Sequence, residues 1–359
     1  MSRQVKTPRF YVDMPTFLHA TGQLDWAEGR GGAELLYMNC ANPYLDVNQD
    51  NQPLFSIGSN TNAQASFPVT FVGLLNHNLA SESLFGENKM TIKGKRNNGD
   101  DYEITSDSAN QKNILNFNGN KAEYNGSSIF TTWGTFNDYW KEFYIEYTSN
   151  EWTSAYTHQL GSFVVGKYWD APNSPDLSLT MSRRFDGIKR QKTIGGKTLA
   201  NIYYDGPTEW TMNNPADGTY KYPPFELDLP TTSATDETTF NQRAKSGVGR
   251  KGLRSWKLTF SYINESDMWM ENEVSNTLTS DDVIPNDNIR NPMLSDDSFN
   301  FVWNCTLGGT LPFIFQPDNS STGTNPDQFS ICTFRGNSLS VKQVAHNTYS
   351  LSVTIDEVA

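Results

Sequence analysis

The sequence predicts an all-β chain: two β-sandwich or jelly-roll-type domains with long loops and at most one or two short helices. Three observations carry this. Aromatic residues make up 13% of the 359 positions within an apolar fraction of 36%, a balance that suits strands joined by polar loops and is foreign to disordered chains. Alternating or β-rich runs recur, as in Phe143-Tyr144-Ile145-Glu146-Tyr147 and Gly161-Ser162-Phe163-Val164-Val165-Gly166. A proline-bounded break, Asp170-Ala171-Pro172-Asn173-Ser174-Pro175, then separates two β-rich halves. Read as a hinge, that break divides the chain into an N-terminal arm (1–30), a first sandwich (31–172) and a C-terminal β domain (173–359).

Taken in order, Phe10-Tyr11-Val12-Asp13 is strand-like and is either part of an arm or an edge strand of the first sandwich. Glu34–Asn39 predicts a strand. Phe67–Leu75 is an apolar run that leads into Asn76-His77-Asn78, and Met90–Arg96 alternates. Residues 97–130 are rich in Asn, Asp, Ser and Gly and predict a long loop region with one short strand; such loops serve binding or assembly. Trp133 and Trp140 belong to an aromatic stretch that is either core or a stacking platform. Beyond the break, strands are expected at Leu177–Met181, Ser255–Tyr262, Asn300–Thr306, Pro312–Phe315, Phe329–Phe334 and Tyr349–Ile355. Ser266–Leu278 is the expected helix, with Ser266 or Asp267 as its cap and Met268, Val274 and Leu278 on one face.

The formal net charge is −12, which argues against general nucleic-acid binding because a phosphate backbone would be repelled. The charge is nevertheless segregated. Arg183, Arg184, Lys189, Arg190, Lys192 and Lys197 stand against Asp186 alone; Arg243, Lys245, Arg250, Lys251, Arg254 and Lys257 have no acid among them. Between Glu265 and Asp297 the sign reverses: nine acids, including Asp281, Asp282, Asp296 and Asp297, face only Arg290. Either these are solvated loops that neutralise one another within the chain, or opposite patches join identical copies head to tail. The second reading makes Arg183, Arg184, Lys189, Arg190, Arg250, Lys251, Arg254, Asp281, Asp282, Asp296 and Asp297 candidate subunit-interface residues.

Catalytic signatures are missing: there is no GxSxG, HExxH, phosphate-cradling loop or dinucleotide fingerprint. The chain is read as a non-enzyme without cofactor. Cys40, Cys305 and Cys332 form no zinc pattern and are expected to be thiols of a protein made in a reducing cytoplasm; Asp100 and Asp101 lack the spacing of a calcium loop. No run of 18 apolar residues exists to span a membrane, and the first residues lack a secretory h-region. A carbohydrate-binding adhesin remains as an alternative, with Asn76, His77, Asn78, Trp133 and Trp140 supplying amide hydrogen bonds and an aromatic face to a host surface glycan.

Several of these stretches together resemble the tail and virion structural proteins of tailed phages that carry a galactose-binding-like jelly roll. They are Phe71-Val72-Gly73-Leu74-Leu75-Asn76-His77-Asn78-Leu79, the strand Phe143–Tyr147, and Gly161–Trp169 with its following prolines. In the second half they are Arg254-Ser255-Trp256-Lys257-Leu258-Thr259-Phe260, Pro312-Phe313-Ile314-Phe315-Gln316-Pro317-Asp318 and the closing strand with Glu357-Val358. The resemblance implies a β-sandwich, a place in the virion tail or baseplate, and a ring or spike built from copies of the chain and other tail proteins. It transfers no sugar site. The insert at 97–130 and the N-terminal arm depart from the pattern.

Overall fold

The computed structural model describes residues 5–22, 24–26, 35–38, 44–47, 56–59, 67–77, 90–96, 101–103, 112–115, 117–118, 121–122, 126–131, 139–147, 157–184, 188–202, 252–270, 283–284, 288–289, 296–320 and 328–358. The chain is all-β, with three short helices among these residues: α1 (Met14–Ala20), α2 (Glu265–Met268) and α3 (Phe299–Cys305).

An eleven-stranded antiparallel sheet organises the described residues. Its strands are β1 (Arg9–Asp13), β2 (Phe71–His77), β3 (Lys112–Leu115), β4 (Gly126–Thr131), β5 (Ser162–Asp170), β6 (Thr180–Arg184), β7 (Leu253–Asn264), β8 (Phe313–Gln316), β9 (Ser330–Phe334), β10 (Val341–Ala345) and β11 (Thr348–Glu357). The spatial order is β6-β7-β11-β9-β8-β1-β5-β2-β4-β3, with β10 paired to β11. A separate six-stranded sheet contains Met90–Arg96, expected as a strand, and Tyr139–Tyr147, which starts four residues before the expected strand Phe143–Tyr147.

The first correction concerns β1. It is neither an arm nor an edge strand. Arg9 lies opposite Asp170 of β5 on one side and Gln316 of β8 on the other. Its sequence explains the position. Phe10 and Val12 enter the core on one face and Tyr11 that on the other, so all five residues are buried. A strand apolar on both faces belongs in the middle of a sheet. It joins β5, β2, β4 and β3 to β8, β9, β11, β7 and β6, so one sheet runs across the division expected at residue 172. The proline-rich break is a crossover within that sheet, pinned by Ala171 N–H to Pro8 O (2.9 Å) and Asp176 N–H to Thr259 O (2.7 Å).

The three helices feed one face. Phe299 of α3 meets Phe10, Trp169 and Phe334 edge-on at centroid distances of 6.0, 5.3 and 5.9 Å. Phe17 and Leu18 of α1 and Met268 of α2 join the same core. Towards β7 and β11 the burial alternates: Trp256, Leu258, Phe260, Leu351, Val353 and Ile355 point inward, whereas Lys257 and Ser352 face outward. This is the half-solvated pattern usual for antiparallel sheets.

Four further expectations change. Asn300–Thr306, read as a strand, is helix α3; Ser298 holds the N-cap position with an extended backbone but no side-chain cap hydrogen bond, and Leu307, Gly308 and Gly309 (φ 50°, 66° and 86°) stop it. The helix expected over Ser266–Leu278 begins at Glu265 and ends at Met268, because Trp269 is already extended; 271–278 lie outside the described residues. Leu35–Met38 is a turn, not a strand, with Tyr37 and Met38 left-handed (φ 60° and 51°). The stretch 97–130 carries five strands rather than one: Asp101–Glu103, β3, Phe117–Asn118, Lys121–Ala122 and most of β4.

At Gly166 the backbone of β5 passes close to β1 and the start of α1. An added Cβ would lie 2.3 Å from Val12 O and 2.8 Å from Met14 Cγ. Gly166→Ala is expected to lower stability by ~1–3 kcal/mol in urea unfolding, the range for overpacking. Gly73→Ala, whose Cβ would meet nothing nearer than 3.5 Å, should stay within ~1 kcal/mol of wild type.

Candidate assembly surface

Strand β6 ends the ordered sheet. It pairs with β7 and is mostly exposed; Arg183 lies opposite Arg254 and Arg184 opposite Leu253. Three residues later a hairpin begins, formed by Ile188–Lys192 and Thr198–Ile202, with Ile188 opposite Ile202 and Lys192 opposite Thr198. Its turn is well made: Thr193 N–H donates to Lys197 O at 2.8 Å, Lys197 N–H donates to Thr193 Oγ1 at 3.1 Å, and Gly196 takes φ 82°. Among the described residues its two strands pair only with each other. Every residue from 190 to 200 is exposed, Ile194 at the tip completely so.

Two features of this hairpin matter. An isolated two-stranded ribbon is marginal in water and gains its stability from what it packs against. Its chemistry is also one-signed, because Lys189, Arg190, Lys192 and Lys197 occur without an acid between 187 and 202. Arg190 is exposed on this ribbon; the side chain of Lys189 lies outside the described residues. Exposed Ile194 and Leu199 add apolar surface that charge counting along the sequence overlooks.

Arg254 behaves differently. Its Nη2 donates to Glu357 Oε1 (2.7 Å), Phe329 O (2.8 Å) and Ser330 Oγ, its Nε donates to Glu357 Oε2 (3.0 Å), and its guanidinium lies 5.1 Å from the Trp256 ring centroid. The Glu357 side chain is 2% exposed. Arg254 therefore locks β7 to β9 and β11 within the chain, so its charge, expected at an interface, is spent inside the fold. The acidic pair before α3 is also engaged internally. Lys167, buried on the helix side of β5, donates to Asp297 Oδ1 (2.6 Å) and Asp296 O (2.8 Å). Asp297, though 88% exposed, is thus partly neutralised within the subunit. Arg250, Lys251, Asp281 and Asp282 lie outside the described residues.

The glycan reading loses its amide and imidazole. Asn76 and His77 are buried at the end of β2, and His77 Nε2 lies 2.8 Å from Ser128 Oγ. Burial holds the imidazole neutral, with its pKa lowered to about 3. Neither side chain faces a ligand from solvent. Asn78 and Trp133 are outside the described residues, as is the side chain of Trp140, whose backbone lies in Tyr139–Tyr147.

Sequence reading missed a polar seam on the face opposite the helices. Arg9 forms a two-pronged ion pair with Asp170 (2.5 and 2.7 Å) and stacks on Tyr168 at 3.8 Å. Tyr11 OH donates to Gln316 Oε1 at 2.6 Å. Burial opposes the Arg9 charge, but Asp170, with Tyr11 and Tyr168, more than compensates and the net shift is upward; burial also raises Tyr11. Arg9, Tyr11 and Gln316 are buried in this seam, whereas the Asp170 side chain is 37% exposed. Cys305 and Cys332 are buried free thiols, both pushed up by burial, which suppresses the reactive thiolate. No group of three or more His, Cys, Asp or Glu side chains among the described residues could hold a metal ion, and no helix there is long and apolar enough to cross a membrane. The chain matches no protein-family model, no curated protein and no solved structure.

Proposed function

We propose that the protein is a structural, non-enzymatic component of a tailed-phage virion, in the tail or baseplate. It is made in the host cytoplasm and assembles with copies of itself and with other tail proteins into a symmetric oligomer. The observation that carries the assembly reading is the basic hairpin at 188–202: residues 190–200 are exposed, and among the described residues its two strands pair only with each other. The rigid eleven-stranded sheet beside it supplies a body on which neighbours can be fixed. The virion setting rests on the resemblance of Phe71–Leu79, Gly161–Trp169 and Arg254–Phe260 to tail proteins.

Light scattering or sedimentation of the purified protein tests the assembly reading. A discrete oligomer is expected at ~50 mM salt, loosening towards monomer at ~500 mM, because exposed charge contacts are screened beyond the Debye length. A monomer at both salt concentrations, at protein concentrations up to ~100 μM, overturns self-assembly as the function.

A further inference from the structure

We propose that the hairpin of one copy docks on an acid-rimmed apolar surface at the far end of β7 in a second copy. The contact rests on the assembly reading above and names both of its halves.

The acceptor follows from accounting for the acids. Asp170, Asp297, Asp318, Asp356 and Glu357 are each paired with a cation of their own subunit: Arg9, Lys167, Lys6, Arg335 and Arg254. Asp176, Glu265 and Asp267, none of them buried, have no such cation among the described residues, and all three border the C-terminal part of β7: Asp176 lies against Thr259–Ser261, and Glu265 and Asp267 follow Asn264. Asp176 is fastened to β7 by its amide, which donates to Thr259 O (2.7 Å), and by its carboxylate, which accepts from Ser261 Oγ (2.5 Å). Glu265 and Asp267 open α2 directly after β7 ends. Between them stands Tyr262, 72% exposed, and beside Asp176 stands Leu177, fully exposed. Asn173 Nδ2 donates to Tyr262 O (3.3 Å), which holds this loop against the strand.

The donor has the complementary make-up. Arg190, Lys192 and Lys197 are exposed and have no acidic partner among the described residues, and Ile194 and Leu199 offer apolar surface between them. An apolar contact ringed by opposite charges is how interfaces combine affinity with register.

Position supports a second copy as the occupant. β6 runs antiparallel to β7, with Arg184 opposite Leu253 and Thr180 opposite Lys257. The hairpin is therefore tethered at the Leu253 end, while the acids lie at the Asn264 end of a twelve-residue strand. Twelve residues of strand span about 40 Å. Donor and acceptor at opposite ends of one strand pair make a head-to-tail contact, which closes into a ring when the rotation per subunit allows.

The test uses charge exchange on the full-length protein. One variant carries R190E, K192E and K197E; the other carries E265K and D267K. Each alone should associate at least ~100-fold more weakly than wild type at low salt, because like charges then face each other. Mixed one to one, they should co-assemble, because each reversed patch finds its complement on the other chain. Recovery on mixing also shows that both are folded. Variants that assemble like wild type, or a mixture that stays dissociated, overturn this contact and leave the assembly reading standing. A wild type that is monomeric at low salt removes both.

Discussion

Arg254→Ala is expected to destabilise the protein by about 3–5 kcal/mol, seen as a lower urea midpoint with the unfolding slope unchanged. The size follows from what the change leaves behind. Glu357 keeps its carboxylate in a site where its side chain is 2% exposed, loses the two hydrogen bonds it accepts from the Arg254 side chain, and keeps only that from the Arg254 amide (2.8 Å). A buried charge without its partner is far costlier than the pair is beneficial. The double change Arg254→Met with Glu357→Gln should therefore recover much of the loss, since it removes both charges together. A loss below ~1 kcal/mol in the single variant would show that water reaches Glu357. Arg190→Ala, on the open hairpin, should leave the unfolding midpoint where it is. Two arginines of the same charged half thus separate into one that holds the fold and one available for contact.

That contrast shows what the sequence made legible. The alternation in Ser255–Tyr262 and Tyr349–Ile355 is set by one buried and one wet face, so β7 and β11 were readable. β1 was readable as a strand, but its place in the centre depends on β5 and β8, which pair with it from more than a hundred residues away. Helix α3 misled because Phe299, Phe301 and Trp303 alternate like a strand; at seven residues a helix is too short for its own period to prevail. The signal that marks it lies outside the run, in Gly308-Gly309, whose left-handed backbone stops the helix. Charge windows were legible as composition, yet nothing along the chain separates Arg254 from Arg190. Only the fold shows that Glu357 stands beside the first. The buried state of His77 was equally hidden, because it is set by the pairing of β2 with β4 and β5.

His77 and Asp13 together predict an unusual pH profile. Burial raises the Asp13 carboxyl to about 7, against opposing hydrogen bonds from Thr16 and from the backbone of Val165 and Thr16; burial lowers His77 to about 3. From about pH 4 to 6.5 the unfolded chain holds the His77 proton and the folded chain does not, so this group makes stability rise with pH. Over the same interval the folded chain holds the Asp13 proton and the unfolded chain does not, so this group makes stability fall. Each slope is about 1.4 kcal/mol per pH unit at full strength, and the two oppose. Asp318 and Asp356, buried in part but held below the usual carboxylate range by Ser320 with Lys6 and by Arg335 with Ser255, act at more acidic pH. The wild type should therefore be nearly flat in urea midpoint between pH 4.5 and 6.5. Asp13→Asn should gain stability as pH rises through that window, and His77→Gln should lose it, by roughly 2 kcal/mol in each direction. Because the reading is a slope, a constant cost of either substitution does not disturb it. Parallel profiles for all three proteins would mean that one or both groups titrate near their ordinary values, and that the interior around β1 and β2 is wetter than its packing shows.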